Sequence, residues 1–219
     1  MSIKIYGDAG SGSLRRVTAV AAMLNIDIER VPIDLFKGES HTPGFLQLNP
    51  HGLTPVLEEG DTVLWEASAI NLYLAEKTNS ELLGKTPAEK FEVLQWMFWS
   101  GEQWRMFSTL LFDEWAGAIF MGKPKVDAIV QMATGRIRNA AGVLNAHLAT
   151  RPFIVGDALT LADIDIAAPF SQYTRTGAPF GEFPNLVAWQ QRLLETVPAW
   201  AATRDEVEKR IAGALEANG

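Results

Sequence analysis

The spacing of apolar residues divides the chain into a first part of short mixed elements and a second part made of helices. Alternating apolar residues predict a strand over 3–6, and apolar residues three or four apart predict a helix over 13–24. A second strand is predicted over 28–35, where Pro32 favours an edge position because proline cannot donate to a sheet ladder. A short helix over 42–48, then two strands joined by a tight turn and a further helix, complete this first part.

A polar segment containing Gly and Pro follows Lys77, and beyond it the pattern is helical throughout. Helices are predicted over 87–118, 124–150 and 161–173, and after Pro184 and Thr203. The pattern therefore predicts a small α/β N-terminal domain and a larger all-α C-terminal domain. The predicted bounds are 1–78 for the first domain, 79–86 for a linker and 87–219 for the second domain.

Charge and cysteine content exclude several function classes. The net charge of −7 argues against nucleic acid and anionic membranes as partners, because both require a cationic protein surface. No apolar run approaches the roughly 18 residues of a membrane-spanning helix, and the N-terminal residues resemble a strand rather than a signal peptide. Without cysteine the chain has no disulfide, no thiolate nucleophile of its own and no Cys-based metal site. Together with the missing signal peptide, this favours the cytoplasm.

The turn "GSGSLR", residues 10–15, joins the first predicted strand to the first predicted helix. The dinucleotide fingerprint G-x-G-x-x-G fails at Arg15 and no Walker lysine follows, so a phosphate site is not indicated. The unpaired N–H groups of the helix start favour an anion near Ser11, and a thiolate is such an anion. The alternative is that Ser11 or Ser13 only caps the helix, and this segment alone favours the cap. No metal site is predicted, because the three histidines are scattered along the sequence.

Three separated motifs resemble the soluble glutathione S-transferase family. They are "SGSLRRV" (11–17), "FLQLNPHGLTPVLEEGDTVLWEASAINLYLAEK" (45–77) and "LTLADIDIAAPF" (159–170). The first is similar to the S-x-x-x-x-R-V motif of the serine-type, bacterial-like members, and the last to the capping box of the second domain. The resemblance spans nearly the whole chain. It implies a thioredoxin-like N-terminal domain, an all-α C-terminal domain and glutathione as co-substrate.

The resemblance also implies roles for individual residues. The hydroxyl of Ser11 would donate a hydrogen bond to the glutathione sulfur and so favour the thiolate, with Ser13 as the rival donor. A cis Thr54–Pro55 bond would turn the backbone of Thr54 toward the cysteinyl peptide, and Glu66 would hold the γ-glutamyl amine and carboxylate. The residues implied to bind glutathione are Lys37, His41, Leu53, Thr54, Pro55, Glu66, Ala67 and Ser68.

Two positions depart from the family pattern. Ala67 stands where the family usually has Ser, and Leu53 stands where a polar side chain is common; Ser68 is a partial substitute for the lost hydroxyl. Two lost hydrogen bonds at about 0.5–1.5 kcal/mol each correspond to roughly ten- to hundredfold weaker binding. The main prediction is a glutathione transferase. Alternatives are a non-catalytic scaffold of the same fold, and a glutathione-dependent peroxidase or dehalogenase.

The segment 91–116 is rich in aromatic residues and Met, which is typical of packing. In the family the equivalent helix lines the pocket for a small apolar electrophile, for which Trp104, Arg105 and Phe112 are the candidates here. The family is also dimeric. The resemblance therefore implies a homodimer in which Glu102 or Gln103 reaches the γ-glutamyl amine in the partner's site.

Overall fold

A computed structural model of the chain describes residues 2–218, which form two compact units. The first unit contains residues 2–80 and 198–213, and the second contains 81–197 and 214–218. These units differ from the predicted domain bounds, which placed all of 87–219 in the second domain. Residues 198–213 belong to the first unit because Arg15 and two aspartates near the ends of strands bind this segment.

The first unit is built on one four-stranded sheet with the strand order β2-β1-β3-β4. The strands are β1 (Ile3–Gly7), β2 (Ile28–Pro32), β3 (Val56–Glu59) and β4 (Thr62–Trp65). The helices are α1 (Gly12–Met23), α2 (Pro43–Leu48) and α3 (Ala67–Lys77). β1 pairs with β2 in parallel and with β3 antiparallel, and β3 pairs antiparallel with β4. The predicted thioredoxin-like fold and the edge position of Pro32 are both confirmed.

The core of this unit lies where α1 packs against α3 and where α3 packs against β3 and β4. Ile5 and Leu57 face each other across β1 and β3, and Val17 and Ile70 are buried on the two helices. Burial of such side chains contributes about 1.5–3 kcal/mol each. The carboxyl end of β1 and the first turn of α1 are thereby held in place, and the candidate site lies there.

The second unit is helical, as predicted. Its helices are α4 (Pro87–Trp99), α5 (Met106–Met121), α6 (Asp127–His147), α7 (Leu161–Ala167), α8 (Tyr173–Thr176) and α9 (Pro184–Thr196); a final helix, α10 (Pro198–Asn218), has residues in both units. No helix within residues 2–218 has the length and hydropathy that a membrane-spanning segment requires.

The predicted continuous helix over 87–118 is interrupted by a π-helical segment, Ser100–Arg105, between α4 and α5. A π turn contains more residues than an α turn, so it rotates the side chains that follow. Trp104 is consequently turned into the core and Arg105 toward a buried carboxylate, Asp165. The side-chain oxygen of Ser100 is buried there without a hydrogen-bond partner in the described part of the chain.

The start of α7 is fixed by Asp163, which is fully buried. Its carboxylate accepts hydrogen bonds from the backbone N–H of Ile154 (2.9 Å), from the N–H and hydroxyl of Thr160 (2.9 and 3.0 Å) and from the indole N–H of Trp189 (3.1 Å). Burial raises the pKa of Asp163 to about 6, although these hydrogen bonds act in the opposite direction. The predicted capping box is therefore present and has a structural role.

Candidate active site

Ser11 caps α1 at the carboxyl end of β1. Its side-chain oxygen accepts hydrogen bonds from the N–H groups of Ser13 (3.2 Å) and Leu14 (3.3 Å). A serine hydroxyl has two acceptor positions and one donor hydrogen. The cap occupies the two acceptor positions, and Ser11 Oγ donates to no acceptor among the hydrogen bonds of residues 2–218. Capping and donation to an anion, which the sequence presented as alternatives, are therefore compatible in one side chain.

Ser13 and Ser68 lie on either side of the buried guanidinium of Arg16. Arg16 Nη1 donates to Ser68 Oγ at 3.1 Å, and Nη2 donates to Ser13 Oγ at 3.5 Å. The N-terminal turns of α1 and α3 are thus joined by one cation. A carboxylate near these turns gains from this cation and from the N–H groups of both helix starts.

Arg15 points away from Arg16, toward the first turn of α10. Its guanidinium lies 3.6 Å from the ring centroid of Trp200, and it donates to the Trp200 carbonyl (2.7 Å) and to Thr203 Oγ1 (3.3 Å). Burial lowers the pKa of Arg15 to about 9, and repulsion from Arg204 acts in the same direction. Arg15 therefore attaches α1 to α10, whereas Arg16 is the cation near the candidate site.

The turn before β3 presents the backbone of Thr54. The Thr54–Pro55 bond is cis, as the family resemblance implied. Asn49 shapes the turn, because its amide donates to the carbonyl of Leu53 (2.7 Å) and its Oδ1 accepts from the N–H of His51 (3.0 Å). The β1–β3 pairing begins at Val56, so the N–H and C=O of Thr54 lie outside the sheet ladder.

The side chain of Leu53 is 59% exposed beside this turn. It is an apolar surface next to the backbone of Thr54. The side-chain oxygen of Thr54 is buried without a hydrogen-bond partner within residues 2–218. The turn therefore contributes backbone groups and apolar surface to the site.

Glu66 precedes α3 with a positive φ of 72°, a conformation that is unusual for a residue with a side chain. Its carbonyl accepts from the N–H of Ile70 at 3.0 Å, and its side chain is exposed. Ala67, the next residue, is buried, so its methyl group packs into the unit while its N–H belongs to the helix start. Backbone strain of this kind costs about 1–3 kcal/mol and is concentrated at functional sites.

We expect Glu66→Gly to be more stable than Glu66→Ala by about 1 kcal/mol, because glycine adopts positive φ without strain. Both variants lose the carboxylate, and both should bind glutathione about tenfold more weakly than the wild type. Urea unfolding and isothermal titration calorimetry measure the two effects separately. Equal stability of the two variants would show that the backbone at Glu66 is not strained.

The loop after β2 contains Lys37 and His41, which are both exposed. The Lys37 ammonium lies 3.2 Å from Asp34 Oδ2, and His41 Nδ1 lies 3.1 Å from Ser40 Oγ. A Cβ atom at Gly52 would lie 3.0 Å from His41 Nε2, so His41 packs closely against the turn that precedes Thr54. These contacts leave both side chains at the protein surface.

In the second unit the three candidate residues for the electrophile pocket differ in burial and in their partners. Trp104 is wholly buried: its indole donates to the carbonyl of Ile166 (2.8 Å) and its ring stacks on Phe180. Trp104 is thus a core residue, whereas the family resemblance made it a candidate to line the electrophile pocket. Arg105 Nε donates to the buried Asp165 Oδ2 at 2.9 Å, and the half-buried Phe112 packs beside Trp115.

Glu102 and Gln103 are exposed on the π segment. Gln103 also lines a cleft of about 340 Å³ between the end of α4 and the middle of α6. The other lining residues are Trp99, Arg136, Asn139, Ala140 and Val143. Neither Trp104, Arg105 nor Phe112 contributes to this cleft.

Sequence reasoning missed two elements of the first-unit site. One is Asn49, for which the L-N-P-x-G motif was a usable signal because Asn side chains commonly organise turns. The other is the pair of Asp8 and Arg210, which no local pattern connects. No group of three or more His, Cys, Asp or Glu side chains within residues 2–218 is placed to hold a metal ion.

Comparisons with known proteins identify the family of this chain. The sequence model of the family "Glutathione S-transferase, N-terminal domain" matches residues 1–76, and that of the C-terminal domain matches 114–196. Glutathione S-transferase 3 of Zea mays is 36% identical over 170 residues, which cover 75% of each chain.

Two solved structures show the same fold. Glutathione transferase F7 from Populus trichocarpa has a TM-score of 0.85 at 26% identity, covering 94% of this chain and 99% of its own. Glutathione S-transferase-I bound with lactoylglutathione has a TM-score of 0.81 at 25% identity, covering 94% of this chain and all of its own. The chain described here therefore belongs to the glutathione S-transferase family.

Proposed function

We propose that this chain is a glutathione transferase in which the Ser11 hydroxyl donates a hydrogen bond to the sulfur of bound glutathione. The observation that carries the proposal is the cap at Ser11, which uses both acceptor positions of the hydroxyl and leaves its hydrogen for a ligand. A hydroxyl oxygen that accepts two N–H groups is polarised and becomes a better donor. Ser13, whose oxygen accepts from Arg16, remains the rival donor.

The reaction depends on lowering the pKa of the glutathione thiol. A free thiol has a pKa of about 8.5, and a donor together with a helix N-terminus lowers it. A depression of about two units corresponds to about 3 kcal/mol and makes the thiolate the main form at neutral pH. The thiolate attacks an electrophilic carbon and forms a C–S bond, the leaving group departs with the electron pair of the broken bond, and the thiol proton passes to solvent.

The other candidate residues of the first unit bind the peptide and the two ends of glutathione. The backbone of Thr54 beside Pro55 pairs with the cysteinyl peptide, and Leu53 contacts its apolar edge. Glu66, the N–H of Ala67 and the Arg16-bound Ser68 hold the γ-glutamyl group. Lys37 and His41 meet the glycyl carboxylate from the loop after β2. A solved relative of the same fold binds a glutathione derivative, which supports this class of co-substrate.

The wild-type protein provides the test of this proposal. Addition of glutathione near neutral pH should produce the ultraviolet difference absorbance of a thiolate, and 1-chloro-2,4-dinitrobenzene should be conjugated with release of chloride. Binding of millimolar glutathione without a thiolate signal, or no binding, would contradict the proposal. Absence of binding would favour the non-catalytic scaffold, whereas binding without a thiolate signal would favour the scaffold or a peroxidase or dehalogenase that uses glutathione differently.

We also infer the subclass of this chain, the residues that contact its electrophile and its oligomeric state. The chain is a serine-type, bacterial-like member that acts in the cytoplasm on a small apolar electrophile. Arg105 and Phe112 are the candidates to contact that electrophile, since Trp104 is buried. The functional form is a homodimer in which Glu102 or Gln103 reaches the γ-glutamyl amine in the partner's site.

Exposed aromatic residues on α4 support the homodimer. Phe91 and Phe98 are 72% and 70% exposed, and their seven-residue spacing places them on one face of the helix. A contiguous exposed apolar patch marks an interaction site, and two large aromatic side chains on one helix face contribute to such a patch. Glu102, four residues after Phe98, follows in the π segment and is also exposed.

Phe98→Asp should therefore shift the protein from dimer to monomer at micromolar concentration, because a carboxylate at the centre of an apolar interface is costly to desolvate. Light scattering coupled to gel filtration measures the mass. Met121→Asp is the matched control, since Met121 is 67% exposed at the far end of α5 and should leave the dimer intact. A wild-type monomer, or a dimeric Phe98→Asp variant, would contradict this interface.

A further inference from the structure

The turn that carries Ser11 is organised by a buried carboxylate, Asp8. Its Oδ1 accepts from the N–H of Gly10 at 2.8 Å, and its backbone carbonyl accepts from the N–H of Ser11 at 2.9 Å. Its Oδ2 accepts from the N–H of Leu35 at 3.1 Å, which ties the turn to the loop after β2. The position of Ser11 therefore depends on the position of Asp8.

Asp8 is held by a residue 202 positions later in the chain, Arg210 on α10. Arg210 Nε donates to Asp8 Oδ1 at 3.1 Å and Nη2 donates to Asp8 Oδ2 at 3.0 Å, a bidentate pair. Asp8 is almost inaccessible to solvent in this pair. The planar guanidinium fork matches two carboxylate oxygens in a way that the ammonium of a lysine does not.

The same guanidinium also fixes the loop that carries Lys37. Arg210 Nη2 donates to Asp34 Oδ1 at 2.9 Å, and the guanidinium lies 4.9 Å from the ring centroid of Phe36. Asp34 in turn accepts from the N–H groups of Phe36 and Lys37. Burial lowers the pKa of Arg210, but its hydrogen bonds and ion pairs with the two aspartates outweigh this and raise it overall.

Close packing accompanies the ion pair. A Cβ atom at Gly10 would lie 3.0 Å from Ile211 Cδ1 and 3.2 Å from Arg210 Cγ, so α10 touches the backbone beside Ser11 directly. Arg15 provides a second attachment through the carbonyl of Trp200. Within the first unit, α10 thus contacts α1 at its start and the turn that precedes it.

We propose that Arg210 is a positioning residue for the thiolate donor: its bidentate pair with Asp8 sets the position of the Ser11 turn, and its contact with Asp34 sets the loop of Lys37. This inference rests on the proposed role of Ser11. Arg210 acts through Asp8 and touches neither sulfur nor electrophile. Loss of the fork should therefore affect thiolate formation and turnover more than glutathione affinity.

The test is Arg210→Lys, which keeps the positive charge and removes the fork. We expect the pKa of bound glutathione to rise by about half a unit to one unit, and kcat with 1-chloro-2,4-dinitrobenzene to fall about tenfold, since small displacements at a reacting group have such effects. The KM for glutathione should rise less than kcat falls, because the retained positive charge still attracts Asp34 and with it the loop of Lys37. Asp8→Asn, which keeps an oxygen for the Gly10 N–H but loses the ionic pair, should move the thiol pKa in the same direction.

Arg30→Lys is the matched control. Arg30 also pairs with α10, through Glu206 at 2.8 and 3.0 Å, but both side chains are exposed and, within residues 2–218, neither forms a hydrogen bond with residues 8–11. Arg30→Lys should change kcat by less than about twofold and the pKa of the bound thiol by less than about 0.2 units. Melting temperatures of all variants separate a loss of folding from a loss of positioning.

A double variant distinguishes this inference from the proposed function. In Ser11→Ala, the further change Arg210→Lys should produce no additional rise in thiol pKa, because the donor being positioned is gone. Additive effects would overturn the positioning role. So would an Arg210→Lys variant with wild-type thiol pKa and kcat while Ser11→Ala loses both. If Ser11→Ala itself keeps the thiolate, the proposed role of Ser11 fails instead.

Discussion

Ser11→Ala should abolish most of the thiolate absorbance of bound glutathione at neutral pH and lower kcat by about 100- to 1000-fold, the usual cost of removing one donor to a developing or formed anion. The bound thiol pKa should return toward the free value of about 8.5. Glutathione affinity should change much less, because Glu66, Thr54 and the helix starts remain. Difference absorbance across a pH titration and steady-state kinetics measure these effects.

Ser11→Ala also removes the cap of α1, so a stability loss of about 1 kcal/mol should accompany it. Ser13→Ala is the control: its N–H still donates to Ser11 Oγ, and only the long contact from Arg16 is lost. It should keep the thiolate and most of kcat. If Ser13→Ala loses the thiolate while Ser11→Ala keeps it, the two serines exchange roles.

Asp163→Ala should destabilise the protein by about 3–5 kcal/mol, because four donors around one buried carboxylate would lose their acceptor. These donors hold the start of α7, the backbone at Ile154 and the indole of Trp189 together. The loss exceeds that expected for an ordinary cap, since an exposed cap has water as a substitute partner. Urea unfolding followed by circular dichroism and by tryptophan fluorescence measures it.

Asp157→Ala provides the comparison for Asp163→Ala. Asp157 lies in the same unit and pairs with Lys85 at 2.6 Å, but its side chain is mostly exposed, so its loss should cost less than 1 kcal/mol. A similar small effect of Asp163→Ala would show that the network around α7 is not needed for stability. Thiolate formation in the folded fraction of Asp163→Ala should remain as in the wild type.

Local patterns in the sequence predicted the elements whose causes are local. The alternation over 3–6, the apolar spacing over 13–24 and the proline at position 32 predicted β1, α1 and an edge strand within one or two residues at most bounds. The T-x-x-D capping box at Thr160 was likewise visible. Caps, turns and periodic faces depend on residues within one or two turns of each other, so they can be read from a short segment.

The π-helical interruption of the long aromatic helix could not be predicted from a short segment of the sequence. All residues over 87–118 are compatible with an α-helix, and the π turn at Ser100–Arg105 places Trp104 against Phe180 and Arg105 beside Asp165. These partners are at least 60 residues away in sequence. Tertiary packing therefore decided which of the aromatic residues are core and which are surface.

The sequence by itself determined the fold class, the family and the serine-bearing turn, because each depends on neighbouring residues or on a contiguous motif. Only the tertiary structure decided that the Ser11 oxygen caps α1 by accepting two N–H groups, that Glu66 has positive φ, and that Arg210 forms a bidentate pair with Asp8 beside the Ser11 turn. The physical reason is that hydrogen-bond partners and buried ion pairs are chosen by distance in space, and residues 202 positions apart meet only when the chain has folded.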